Sequence, residues 1–221
     1  MLSEMKENKT IKIIGAGNCG ISILEHLEKL LESNNIAAKN LILIRCDVER
    51  GRLYLNCLKG KYYEKRPSTK DDLLFLNNCF YYGLGTMANQ EQANKIYYDK
   101  NNKEMIDSMI DESKKIIVCG GLGGGFGSAF ISNFASENKN VYSYVLSPAK
   151  YERENRKKNT ERALSKMENA GAKFQLWDME DILMENWKFL KDNELLTVAN
   201  LRALSAQIMA EKILKDIEQY L

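Results

Sequence analysis

The sequence predicts an α/β fold: a doubly wound, mostly parallel Rossmann-like sheet flanked by helices and ending in a long core helix. Short apolar runs alternate with amphipathic segments from residue 11 onwards. The connections between these segments are short, and stretches rich in glycine follow several of the apolar runs. Regular alternation of strands and helices with short connections is typical of one parallel sheet with helices on both faces.

The composition is that of a chain with a sizeable core. Of the 221 residues, 44% are hydrophobic and 28% are charged, and the net charge of +2 favours neither a nucleic-acid nor a membrane partner. Five cysteines without a C-x-x-C pair, with a single histidine, argue against zinc and favour a reducing, cytoplasmic location. We expect one domain over residues 1–221, in which the polar residues 1–10 form a flexible N-terminal segment.

The first predicted strand, 11–14, runs directly into the glycine motif Gly15-Ala16-Gly17-Asn18-Cys19-Gly20, and a helix follows at about 21–32. A second strand at 41–44 ends at Cys46-Asp47. This is a βαβ unit with a G-x-G-x-x-G sequence in its first turn and an acidic residue after its second strand. That combination usually indicates a dinucleotide site.

The rest of the chain continues the alternation. The segments predicted after residue 50 are a polar connection at 50–70, a third strand or short helix at 73–76, a glycine-bearing loop at 83–91, helical sequence to about 112, a strand at 115–118, a glycine loop at 120–127, a helix from about 130, a strand at 141–146, a helix at 152–168, a strand at 173–177, and helices at 179–190 and 193–220.

The glycine loop at 120–127 lies between a buried strand and a helix. Glycine permits positive φ and lets a backbone come close to a ligand. The free N–H groups and the dipole of the following helix make an anion site, for which phosphate is the usual ligand. A dinucleotide site needs only the loop at 15–20. Three strand-end loops, at 15–20, 83–89 and 120–128, suit a nucleoside triphosphate better.

Together these motifs resemble the tubulin/FtsZ superfamily, and the GTP-binding domain of FtsZ most. The family's G-G-G-T-G-[ST]-G loop corresponds to residues 123–129, and its G-L-G-x-x-A-N-x-E string to residues 83–91. Its P-F-x-F-E-x-x-x-R segment is similar to residues 148–156. Residues 196–200 lie where the family's core helix offers an aromatic residue and then Asn or Asp to guanine. The matches occur in the family's order over about residues 11–214.

The resemblance implies a site for GTP or GDP, with Mg²⁺ as its ion. Asp47 would approach the metal, Glu152 the ribose, and Arg156 the ribose or phosphates, while Asn200 would pair with guanine. The resemblance implies no catalytic residue and one metal ligand, Asp47. The implied nucleotide-binding residues are Gly15, Gly17, Asn18, Cys19, Gly20, Ser22, Asp47, Gly85, Thr86, Met87, Ala88, Asn89, Gly123, Gly124, Gly125, Phe126, Gly127, Ser128, Glu152, Arg156 and Asn200.

The sequence departs from the family pattern at four of these motif positions. Phe126 replaces a Thr, Ala129 a glycine, Ser22 an Asn that reaches the base, and Leu196 the stacking aromatic. Family members continue past the core helix into an acidic N-x-D-x-x-D loop and a second domain, whereas this sequence ends at Leu221. We therefore expect weak or no GTP hydrolysis by the chain on its own. The resemblance implies a cytoskeletal protein or a regulator of a full-length homologue. Self-association or a full-length tubulin-like homologue is therefore the expected protein partner.

Two other interpretations remain. Gly15, Gly17, Gly20 and Asp47 also fit an NAD-binding Rossmann oxidoreductase, although that function leaves the loop at 120–128 without a purpose. Phe126 and Leu196 also fit a degenerate tubulin-like scaffold that binds no nucleotide.

Overall fold

The sheet consists of six parallel strands in a computed structural model that describes residues 11–36, 41–49, 73–75, 86–108, 110, 115–193 and 197–218. The strands are β1 (Ile11–Ala16), β2 (Leu41–Asp47), β3 (Leu73–Phe75), β4 (Lys115–Gly121), β5 (Val141–Ser147) and β6 (Lys173–Asp178). Their order across the sheet is β3-β2-β1-β4-β5-β6. This arrangement confirms the predicted doubly wound parallel sheet, and it shows that residues 73–75, predicted as part of a strand or short helix, form a strand.

Helices lie on both faces of the sheet. They are α1 (Gly17–Ser33), α2 (Gln90–Tyr97), α3 (Lys100–Asp107), α4 (Phe126–Glu137), α5 (Glu154–Asn169), α6 (Met179–Glu185), α7 (Trp187–Asp192) and α8 (Val198–Ile217). One core layer joins the sheet to α1, α6, α7 and α8, with α8 packed along α1. The other layer joins it to α2, α4 and α5. Among the helices that the structure describes, none is long and apolar enough to span a bilayer.

Helices α1 and α4 begin about four residues earlier than the sequence predicted, at Gly17 and Phe126. Glycine is a poor helix former, so the pattern assigned every glycine to a loop. In the structure, glycines lie inside both first turns because a side chain there would collide with a neighbouring strand. A Cβ on Gly20 would lie 2.4 Å from the carbonyl oxygen of Cys119, and one on Gly127 would lie 3.0 Å from that of Gly121.

Three of the predicted helical segments also have different bounds. The segment expected to run to about 112 divides into α2 and α3, since the Asp99 side chain accepts hydrogen bonds from the N–H groups of Asn101 and Asn102. The segment at 179–190 divides at Asn186. The last helix begins after its cap, Thr197, rather than at 193. The predictions for 1–10, 50–70 and 83–85 lie outside the described residues.

Strand β1 occupies the centre of the sheet. It pairs with β2 from Ile11↔Leu41 to Ala16↔Cys46, and with β4 from Ile11↔Lys115 to Ala16↔Gly120. After β1 the chain turns to one face of the sheet as α1, and after β4 it turns to the other face as α4. The carboxyl ends of β1 and β4 are therefore a topological switch point, the position at which open α/β sheets bind ligands.

Candidate functional site

The first turns of α1 and α4 meet at this switch point. Gly17 is the first residue of α1, and a Cβ built on it would lie 3.4 Å from both the backbone nitrogen and Cα of Gly127, the second residue of α4. Each helix carries a partial positive charge at its N-terminus, where its first N–H groups have no partner within the helix. Two such termini in contact would attract an anion more strongly than either one alone.

Neither helix supplies a side-chain cap to its own N-terminus. The N-cap residues are Ala16 and Gly125, which make no side-chain capping hydrogen bond with the described residues, and neither first turn carries an acidic residue. Helices α2 and α8, by contrast, are capped by Asn89 and Thr197. A bound anion would satisfy the N–H groups at the start of α1 and α4.

Glycines of the first motif bring α1 close to the sheet. A Cβ on Gly15 would lie 2.4 Å from the carbonyl oxygen of Gly20, and Gly20 in turn lies against Cys119 of β4. Gly17 has a φ of +67°, which an L side chain rarely adopts. Close packing therefore explains why residues 15 and 20 are glycine. The predicted contact with nucleotide would be made by the backbone N–H groups in the first turn of α1.

The glycine loop that was predicted at 120–127 is reduced in the structure to residues 122–125, between β4 and α4. It has an open side and a packed side. A Cβ on Gly124 would have no described atom within 4 Å, whereas one on Gly125 would lie 2.3 Å from Oγ1 of Thr86 and 2.8 Å from the nitrogen of Asn89. The buried hydroxyl of Ser128 shares its single proton between the carbonyls of Leu122 and of Gly124. Ser128 thus has its hydroxyl turned toward the loop, and its backbone N–H is the group available to an anion.

Residues 86–89 form a tight turn against Gly125. The Asn89 N–H donates to the carbonyl of Thr86 over 2.8 Å, and the two residues between them have positive φ, +47° at Met87 and +64° at Ala88. Without glycine this conformation costs about 1–2 kcal/mol per residue. Strain of this kind is concentrated at binding sites. The Met87 side chain is 88% exposed.

Asn159 of α5, a residue that the sequence analysis missed, joins this turn to the glycine loop. Its Nδ2 donates to the carbonyls of Ala88 at 2.9 Å, Gly124 at 3.2 Å and Gly123 at 3.5 Å. An isolated Asn in a charged helix carries no motif, so only the tertiary contacts identify it.

A second unpredicted residue, Arg202 of α8, contacts Glu152. The Glu152 side chain is only 7% exposed, and its Oε2 lies 3.2 Å from Arg156 and 3.2 Å from Arg202. Two guanidinium groups thus fix the carboxylate predicted to face the ribose. Asn200, the residue predicted to face the base, lies two positions before Arg202 and is partly exposed. Its backbone N–H donates to the Thr197 hydroxyl, and Leu196 lies outside the described residues.

Asp47 lies at the end of β2, next to β1 in the sheet. Its carboxylate is buried, and Oδ1 accepts hydrogen bonds from the N–H groups of Val48 at 2.7 Å and Glu49 at 3.2 Å. The described residues contain no cluster of three or more His, Cys, Asp or Glu side chains that could hold a metal by itself. A single carboxylate supplemented by phosphate oxygens and water is a usual way to bind Mg²⁺.

The remaining predicted residues differ in their exposure to solvent. The ring of Phe126 is buried and lies 5.7 Å from that of Phe130, so it fills the core beneath α4. Asn18 is exposed and Ser22 is partly exposed. Burial raises the pKa of the Cys19 thiol to about 12, which the Arg202 charge opposes and the Glu152 charge favours, so the thiol stays neutral near pH 7. Gly85 lies outside the described residues.

The sequence also matches a known family. The model of the Tubulin/FtsZ family, GTPase domain, matches residues 10–175. The chain belongs to the tubulin/FtsZ family. The predicted resemblance is therefore confirmed, and the switch-point crevice lies within the matched GTPase domain. No curated protein matches the sequence.

Solved structures of the tubulin/FtsZ family share the fold of this chain. CetZ from Methanosaeta thermophila is 20% identical, with a TM-score of 0.71 over 95% of this chain and 54% of that one. CetZ2 from Haloferax volcanii, a GTPγS-bound protofilament, is 16% identical, with a TM-score of 0.70 over 92% and 57%. An FtsZ dimer from M. jannaschii is 18% identical, with a TM-score of 0.67 over 93% and 53%. The chain thus spans little more than half the length of these proteins.

Proposed function

We propose that this chain binds GTP or GDP at the carboxyl ends of β1 and β4, where α1 and α4 begin, as a tubulin/FtsZ-like cytoskeletal protein. The observation that carries the proposal is the contact between the first turns of α1 and α4, both without a side-chain cap, beside the open backbone of Gly124. The N–H groups of these turns would bind the phosphates. Phe126 does not obstruct them, since its ring lies in the core.

A guanine nucleotide accounts for more of the site than a dinucleotide does. The turn at 86–89 packs against Gly125 and so extends the phosphate surface beyond the G-x-G-x-x-G motif. Glu152 with its two arginines would hold the ribose, and Asn200 would pair with guanine. Asp47 is the residue that would bind Mg²⁺, which would neutralise the phosphate charge.

Nucleotide binding would couple to self-association. One similar structure is a GTPγS-bound CetZ2 protofilament and another is an FtsZ dimer, which supports assembly of this chain with itself or with a homologue. Sedimentation with GTP, with GDP and without nucleotide tests this part. We expect GTP to increase the pelleted fraction, and pelleting that does not depend on nucleotide would contradict the coupling.

Parallel titration calorimetry with GTP, GDP, ATP and NAD tests the ligand class. We expect binding of GTP and GDP, with ATP at least about tenfold weaker, because the Asn200 side-chain oxygen would accept from both N1–H and N2–H of guanine, a pair of adjacent donors that adenine lacks. Binding of NAD without guanine nucleotides would show a dinucleotide enzyme instead. No binding of any of the four would show a scaffold without nucleotide.

A further inference from the structure

Asn159 is the side chain that links two separate elements of the proposed phosphate site. Asn159 is only 4% exposed. Its side-chain Nδ2 donates hydrogen bonds to the carbonyl of Ala88 in the turn at 86–89 and to the carbonyls of Gly123 and Gly124 in the glycine loop. The link extends to α2, because the Gln90 side-chain amide donates to the Asn159 carbonyl over 3.5 Å. Both α2 and its preceding turn are thereby attached to α5.

The turn needs such a link. Met87 and Ala88 adopt positive φ without being glycine, so an unattached chain would relax to another conformation. The glycine loop offers the turn a surface without a side chain, since a Cβ on Gly125 would overlap Thr86. Asn159 supplies the hydrogen bonds that hold the turn against that surface.

We propose that Asn159 is a positioning residue that sets the preference of the site for a triphosphate over a diphosphate. The inference rests on the proposed function, in which the loop at 122–125 binds the α- and β-phosphates and the turn at 86–89 faces the γ-phosphate. A turn that is already ordered binds the γ-phosphate without a cost in ordering. A bound diphosphate would contact the glycine loop but would not reach the turn, so its affinity would not depend on how well the turn is ordered.

The test compares GTP and GDP affinity in wild type and in Asn159→Ala. We expect GTP to bind about tenfold more weakly to the variant and GDP to change by less than about threefold, which corresponds to a loss of triphosphate preference. The matched control is Asn102→Ala, since Asn102 is equally buried and donates to the carbonyl of Ile96, away from both loops. That variant should keep the wild-type ratio of affinities. An equal fall in both affinities of Asn159→Ala, or no fall, would overturn the proposal.

A second variant and a readout without nucleotide separate this proposal from the proposed function. Asn159→Leu keeps a side chain that branches at Cγ but has no donor, and it replaces Asn159→Ala if the cavity prevents folding. Hydrogen exchange of the Asn89 amide, which donates to Thr86, reports the turn directly. We expect exchange at least about tenfold faster in either variant of Asn159 and unchanged in Asn102→Ala. Unchanged exchange would overturn the link, even if wild type bound no guanine nucleotide.

Discussion

Phe126 shows how one residue of the glycine loop serves the core instead of the ligand. Its ring packs on Phe130, which stacks in turn on Phe134 at 5.4 Å. The change from the family's Thr therefore adds buried apolar surface beneath the loop and leaves the backbone N–H at the start of α4 in place. The Phe126 side chain therefore contributes to the core, and the proposed phosphate contacts are left to backbone N–H groups.

Replacing Phe126 by Ala should lower the free energy of unfolding by about 3 kcal/mol, since it removes a buried ring and leaves a cavity. Urea denaturation measures this change. The matched control is Phe189→Ala, because the Phe189 side chain is 55% exposed. We expect the control to change stability by less than about 0.5 kcal/mol. Equal effects of the two substitutions would show that Phe126 does not pack as described.

At the scale of elements, the crossing of α1 over β4 depends on a contact between backbones. Gly20→Ala would place a methyl group 2.4 Å from the Cys119 carbonyl oxygen, within a parallel strand pair that cannot move aside. We expect a loss of stability of about 2–3 kcal/mol or more, measured by thermal unfolding. A variant with wild-type stability would mean that α1 lies farther from β4 than the structure shows.

The attachment of α8 to the sheet should depend on pH. Asp216 accepts hydrogen bonds from Tyr144 of β5 at 2.6 Å and from Lys212 at 2.7 Å. Burial raises the pKa of the Asp216 carboxyl, but these two hydrogen bonds and the positive charges of Lys212 and Lys115 together outweigh burial and hold the pKa below its ordinary value of 3.8. The ionised carboxylate therefore stabilises the folded state above about pH 4, and this stabilisation is lost as the pH falls through the lowered pKa.

Asp216→Asn should consequently unfold at lower urea concentration than wild type at pH 7, and the difference should shrink steadily on acidification below about pH 4. Tyr144→Phe keeps the carboxylate and one of its two partners, so we expect a smaller difference with the same direction of pH dependence. A difference between wild type and Asp216→Asn that stays constant from pH 7 to pH 3 would exclude this role for the carboxylate.

At the scale of the whole molecule, alternation of apolar and amphipathic segments was sufficient to predict the doubly wound sheet. The glycine motifs, in their order, were sufficient to predict the family. The starts of α1 and α4 could not be predicted, because the steric reason for Gly20 and Gly127 lies in neighbouring strands. Asn159 and Arg202 could not be predicted for a similar reason, because each contacts a residue that is distant in sequence. Asn159 contacts Ala88, and Arg202 contacts Glu152.

The central claim is that phosphates bind where α1 and α4 meet, and calorimetric titration of GDP into wild type and Gly124→Ala tests it most directly. A Cβ on Gly124 meets no described atom within 4 Å, so the variant should fold with an unchanged melting temperature. The same methyl group would occupy the space in which the phosphates approach the backbone. We predict that GDP binds the variant at least about tenfold more weakly than wild type. Equal affinity of the two proteins, at equal stability, would contradict the account.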